Sequence, residues 1–348
     1  MNRLERPSKP SIQPLICCIC VSISLSALAS CSFKEPKQVP EPAAKPVAAS
    51  PFPRLADPGG CIIEQITSAN HEEYQVQGAS RDGKLLAMTA RMTGATEEDT
   101  TEQLFEVDLE SGERTKLPKF LTNSGAYSPD ARFNVLAQET DNGRTDIFEY
   151  ERATAKLTAV APHEQWDWLP SYSPDGRFIV FNSYRVDGQA DIHLFEKSTG
   201  ALQRLTTFSG YDAHAQFSPD GKRILFHRQQ GKRENGGYIF DLIVYEIESG
   251  EETQLTDGQY EESYASWAPD GRHIVYSSDI DGKPSKHNLY VLAPSGKTTA
   301  RLSVGDWKDS YAFWSHDGKF IYFNSDRAGP TNIYRVVMDG FDCLREDG

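Results

Sequence analysis

Short runs of β-branched and aromatic residues recur along the chain, each bounded by turn-forming residues. Phe178-Ile179-Val180-Phe181, Ile224-Leu225-Phe226 and Ile274-Val275-Tyr276 are typical. A polar tetrapeptide precedes the run in each unit: Ser80-Arg81-Asp82-Gly83, Ser128-Pro129-Asp130-Ala131, Ser173-Pro174-Asp175-Gly176, Ser218-Pro219-Asp220-Gly221, Ala268-Pro269-Asp270-Gly271 and Ser315-His316-Asp317-Gly318. Pro at the second position presets φ for a tight turn, and Gly after Asp accepts the left-handed backbone that closes it. Three residues before the aspartate stands an aromatic in five units (Tyr127, Tyr172, Phe217, Trp267, Trp314), with Ala79 in the sixth. A third apolar segment follows, such as Asp191-Ile192-His193-Leu194-Phe195 or Asn332-Ile333-Tyr334. A Gly turn then opens a fourth, ending in Leu157-Thr158, Leu205-Thr206, Leu255-Thr256 or Leu302-Ser303. Runs this short are strands, and no helical periodicity is visible after residue 60. The turn aspartates are 48, 45, 45, 50 and 47 residues apart. A period in the forties with four strands per unit predicts an all-β, six-bladed β-propeller of antiparallel blades.

The phrase of the fourth strand also stands ahead of the first turn, as Ile62-Ile63-Glu64-Gln65-Ile66-Thr67. Ring closure explains it: this segment becomes the outer strand of blade 6, with Cys343-Leu344-Arg345 beside it or in its place. Closure removes sheet edges that an open array would expose. The propeller thus occupies residues 61–348 as one domain.

Residues 1–30 read as a leader. Arg3, Arg6 and Lys9 precede an apolar stretch from Leu15 to Ala29, short for a membrane span and shaped like a signal peptide. The stretch ends in Leu28-Ala29-Ser30-Cys31, which matches the bacterial lipobox and predicts cleavage before Cys31 with lipid attached to it; an ordinary secretory signal cleaved nearby is the alternative. Ser32, rather than an aspartate, follows; by resemblance to sorting in enteric bacteria this favours the outer membrane, facing the periplasm. Residues 31–60 hold seven prolines among Ala, Lys and Glu, a Pro/Ala-rich tether reaching up to about 80 Å if fully extended as polyproline. Cys17, Cys18 and Cys20 leave with the leader, so Cys61 and Cys343 remain, at opposite ends of the array where closure brings them together. A disulfide between them is expected, worth about 5 kcal/mol in the chain-entropy picture; two thiols are the alternative.

The formal charge is −14, and removing a leader of net +2 (Arg3, Arg6, Lys9, Glu5) leaves −16. Such a chain excludes nucleic acid and anionic lipid surfaces as partners and suits a cationic one.

Propeller geometry places the start of each innermost strand on the face opposite the Pro-Asp-Gly turns, here called the upper face. Eight residues before the turn aspartates stand Tyr74, Thr122, Asp167, Asp212, Glu262 and Asp309. Four carboxylates at one equivalent position near the channel mouth call for a basic partner or a hard cation such as Ca²⁺. The alternative is that each acid caps its strand by accepting backbone amides. Trp166 and Trp307, with Trp168, Tyr211 and Tyr260, flank the same loops and either grip a ligand or pack between blades. The acidic loop 91–102 and the basic loop 228–237 are partner contacts or solvated turns. Catalytic signals are weak. The eight histidines are scattered without metal spacing, and no nucleophile elbow, phosphate loop or dinucleotide fingerprint is present.

The phrase Trp267-Ala268-Pro269-Asp270-Gly271-Arg272, then Ile274-Val275-Tyr276-Ser277-Ser278, Leu289-Tyr290 and Leu302-Ser303, resembles the TolB-type, WD-like propeller repeat. The resemblance covers residues 61–348. A lipobox and Pro-rich tether stand where TolB carries an α/β domain, so the resemblance implies a protein-binding platform but not TolB's own role. Taken with the upper-face positions above, the expectation is a non-enzymatic platform without cofactor, docking an envelope protein or peptide through Asp167, Asp212, Glu262, Asp309, Trp166 and Trp307. Propellers with similar repeats also resemble oligogalacturonate lyases, which use a histidine cluster and a divalent metal. On that alternative, carbohydrate-directed reading His163, His214 and His227 are the candidates.

Overall fold

A computed structural model describes residues 50–58, 60–68, 72–92, 101–118, 125–281, 283, 285–293, 296 and 298–338. The leader, Cys31, most of the tether, Thr122 and Cys343 lie outside the described residues. The described strands form six antiparallel sheets, the blades of a propeller. Blade 1 runs from the channel outward as Glu72–Ala79, Leu85–Met92, Thr101–Asp108 and Arg114–Lys116. Blades 2 to 5 repeat this plan, their innermost strands being Gly125–Tyr127, Asp167–Tyr172, Asp212–Phe217 and Ser263–Trp267.

Blade 6 closes the ring. It consists of Asp309–Trp314, Phe320–Ser325 and Asn332–Val337, completed by the N-terminal strand Ile62–Gln65, with Ile62 opposite Val337 and Ile63 opposite Val336. Cys343-Leu344-Arg345 lie outside the described residues, and beside that strand pairs Arg54–Ala56, a fifth strand. This corrects the tether boundary at residue 60. Phe52 is buried in the core next to blade 1, and buried Asp57 pairs with Arg327. The prolines of this stretch mask a short apolar pattern, Phe52 and Leu55, that docks on the ring. Cys61 is buried at the closure.

Local chemistry explains why each hairpin turns where it does. In five of the six turns the Ser hydroxyl donates to the Asp carboxylate two residues on, at 2.5–2.7 Å (Ser80, Ser128, Ser173, Ser218, Ser315). The same Ser oxygen accepts the backbone N–H five residues on, which starts the second strand. In blade 2 Ala131 takes the left-handed place of glycine, at φ 55°. In blade 5 the Ser is replaced by Ala268, and the His273 ring pairs with Asp270 instead.

The core lies between blades. Val180, Ile192 and Leu194 of blade 3 pack on Ala215, Phe217 and Ile224 of blade 4, and blades 5 and 6 share Val275, Leu289, Trp314 and Phe323. A strand covered on both faces reads as a continuous apolar run, which is why Ile274–Ser278 is buried throughout.

Candidate binding site in the central channel

The four acids at the starts of the innermost strands are buried. Asp167, Asp212 and Asp309 have no exposed surface, and Glu262 is 4% exposed. Three of them face an arginine from the end of the second strand of their own blade. Arg185 reaches Asp167 at 2.5 Å and also donates to the Ala161 carbonyl. Arg228 forks onto Asp212 at 2.8 and 2.9 Å and onto Glu252. Arg327 forks onto Asp309 at 2.9 and 3.1 Å and reaches Asp57. Planar guanidinium matches carboxylate in this two-pronged geometry. Burial nonetheless pushes the Asp167 carboxyl up to about 6, and raises those of Asp212 and Asp309.

The acids expected as an open surface for a basic partner are therefore turned inward, and arginines supply the positive charge there. Trp307 belongs to this structure as well. Its Nε1 donates to Asp309 at 3.1 Å and its ring lies 4.8 Å from the Arg327 guanidinium. Trp166 is 42% exposed beside Asp167. Blade 5 breaks the pattern. Ile280 stands where an arginine would meet Glu262, whose Oε2 has no hydrogen-bond partner among the described residues. Burial pushes the Glu262 carboxyl up to about 7.

Two residues beyond each acid the chain does something that the sequence did not announce. Leu169, His214, Tyr264 and Tyr311 all have left-handed backbones, with φ of 55°, 57°, 51° and 55°. Each sits in a register shift of the innermost strand, between Trp168 and Ser171, Ala213 and Gln216, Ser263 and Ser266, and Ser310 and Phe313. Such a bulge re-aims a side chain, here into the channel. Bulky side chains rarely adopt this backbone, at a cost of order 1–3 kcal/mol each, and strain of this kind clusters at ligand clamps.

Together with Gln75 these four side chains form a constriction. The Tyr264 and Tyr311 rings lie 4.2 Å apart, and the His214 ring is 4.6 Å from Tyr264 and 5.0 Å from His227. The Tyr311 hydroxyl hydrogen-bonds with Tyr264 and Gln75. Burial drives the His214 imidazole down to about 3 and His227 well below its ordinary value, so both are neutral. Above the constriction opens a vestibule of about 580 Å³, lined by Trp168, Tyr211, Tyr264, Tyr311, Arg91 and Lys308 among others. Below it a funnel of about 310 Å³ opens between the Pro-Asp-Gly turns.

Of the three histidines put forward for a metal-dependent activity, His214 and His227 meet in the channel. His163 is exposed, and its backbone N–H donates to Asp146. The ring at 169, 214, 264 and 311 was missed because Leu, His, Tyr and Tyr share no chemistry. Their constant spacing from the acids was the available signal.

Residues 80–286 match the PD40 family, described as the TolB beta propeller domain. No curated protein matches the chain. Among solved structures, TolB from Acinetobacter baumannii superposes with a TM-score of 0.58 at 20% identity, over 75% of this chain and 65% of that one. The chain thus spans less than two thirds of that relative's length. An oligogalacturonate lyase in complex with manganese gives 0.56 at 14% identity, over 83% of this chain and 96% of that one. The putative TolB from Agrobacterium tumefaciens gives 0.55 at 19% identity, over 77% and 91%. These likenesses establish the fold. With the family match spanning more than half its length, the chain belongs to the TolB beta propeller domain family.

Proposed function

We propose that this protein is a non-enzymatic binding module of the bacterial cell envelope, held to the membrane by lipid on Cys31, which seats an extended protein segment in the upper vestibule. The carrying observation is the strained aromatic and histidine ring that narrows the channel beneath an aromatic-lined chamber. Aromatic walls with a few amides and charges suit the alternating apolar and polar groups of a peptide. The acids at the strand starts support the site from behind by fixing the backbone from which the ring projects. A TolB beta propeller and a lipobox-bearing leader both fit an envelope location.

The test is site-specific photo-crosslinking from position 211, in the vestibule, in cells expressing the full chain. One dominant protein adduct, lost on Tyr264→Ala and Trp168→Ala, is expected. An adduct unchanged by both substitutions removes the vestibule from the reading. Cys31→Ala should release the protein from the membrane fraction. A second reading, an acidic oligosaccharide in the same chamber, is favoured by Arg91 and Lys308 beside the stacking rings. Calorimetric titration with oligogalacturonates discriminates the two.

A further inference from the structure

Blade 5 carries an unabsorbed cluster on the upper face. Glu261, Asp279 and His287 each offer one ligand atom, and these atoms lie within 4.8 Å of one another. His287 is 1% exposed, and neither of its ring nitrogens has a well-formed hydrogen bond among the described residues. Its Nε2 is 3.4 Å from Glu261 Oε1. Zinc bonded to nitrogen and oxygen at about 2.0–2.1 Å separates tetrahedral neighbours by about 3.3 Å. The imidazole and the carboxylate therefore already stand at the spacing that a shared ion requires.

The backbone holds these residues independently of any ion. Glu261 is in a parallel bridge with Phe240 of blade 4, and His287 in another with Lys308 of blade 6. Asp279 accepts the Glu261 N–H at 2.9 Å through Oδ1 and pairs with Arg233 through Oδ2. A carboxylate has lone pairs to spare after two such bonds, so Asp279 retains a site for a metal while its outer partners fix its orientation. The surrounding charge also favours a cation. Glu261, Glu262 and Asp279 meet Arg233 and Lys308 here, and position 280, which would bring blade 5's own arginine into the corner, is isoleucine.

We propose that Glu261, Asp279 and His287 form a binding site for a divalent transition metal of the zinc class. One imidazole and two carboxylates are a borderline donor set that excludes soft ions and prefers Zn²⁺ or Co²⁺ to Ca²⁺. Three protein ligands leave a fourth position for water or for an oxygen of a bound ligand. Lys308, bridged to His287, also lines the vestibule, so the ion sits beside the chamber rather than in it.

The test uses the full chain in detergent, stripped with EDTA and titrated with Co²⁺. Visible absorption reports coordination, and Zn²⁺ competition gives its affinity. A single saturable site is expected, weakened roughly tenfold or more in His287→Gln and in Glu261→Gln. Melting in EDTA shows whether each variant is folded; should His287→Gln fail to fold, half-buried Glu261 carries the test. His214→Asn should bind Co²⁺ as the wild type does. Absence of saturable uptake, uptake unchanged in both variants, or uptake lost in His214→Asn instead would each overturn the proposal. The peptide-binding reading stands or falls separately, through the position-211 adduct.

Discussion

Replacing His214 by Asn isolates what it costs to keep an uncharged imidazole in the channel. The ring packs among His227, Tyr264 and Tyr311, and burial drives its pKa down to about 3, against about 6.5 in an unfolded chain. Between those values the unfolded chain binds a proton that the folded chain refuses. Stability therefore rises with pH and is lost as pH falls through 6.5. At about pH 5.5 the difference amounts to about 1.4 kcal/mol, and above about pH 7.5 it vanishes. Asn tolerates a left-handed backbone better than most residues, and position 214 borders the open channel, so the variant leaves no sealed void. Urea unfolding of both proteins at the two pH values supplies the measurement. Groups common to both cancel, and His227, held low partly by His214, can only add to the effect. The wild type should lose about 1.4 kcal/mol or more beyond the loss of the variant on acidification. Equal losses would refute the argument, because they would mean that the imidazole protonates freely inside the folded channel.

Two further outcomes follow from packing. Arg228→Met leaves Asp212 buried without its counter-ion and should cost about 3–5 kcal/mol in denaturant unfolding; a cost below about 1 kcal/mol would mean that water reaches that pair. Ile63, fully buried in the N-terminal strand that closes blade 6, should cost about 2–5 kcal/mol on truncation to Ala. A neutral Ile63→Ala would mean that the ring closes some other way in solution.

The fold was legible because its signal is local. A Ser hydroxyl on an Asp carboxylate two residues away, followed by a left-handed Gly, is chemistry contained in four residues, and it recurs. The acids were legible as a repeated position, but their role was not. Three of the four are decided by an arginine 16 or 18 residues later, Arg185, Arg228 or Arg327, brought across by strand pairing. That second recurrence was present in the sequence and separates an exposed acidic ring from a buried ion-pair layer. The left-handed ring was harder to see. Backbone strain is imposed by the bulge register and leaves no compositional trace, since Leu169 and Tyr311 read as ordinary strand residues. Arg54–Ala56 was hidden by the prolines around it.

In a repeat protein the departures carry the information that the repeats cannot, because selection for the shared fold explains every copy alike. Blade 5 departs three times. Ala268 replaces the turn Ser, Ile280 replaces the arginine, and Glu262 replaces aspartate with one methylene more. The last two act on the same corner. With isoleucine at position 280 the blade's acids lack an internal counter-ion, and blade 4 sends Arg233, at the tip of its longest hairpin, across to Asp279. Arg233 pairs with Asp279 and, with Lys308, acts on Glu261, while Glu262 keeps an unpartnered oxygen and a buried imidazole lies alongside. The fold has no need of that imbalance, since blades 3, 4 and 6 each keep their own arginine. A corner that blades 3, 4 and 6 neutralise with their own arginine, and that this blade leaves without one next to a preset His–Glu pair, is built to receive a cation.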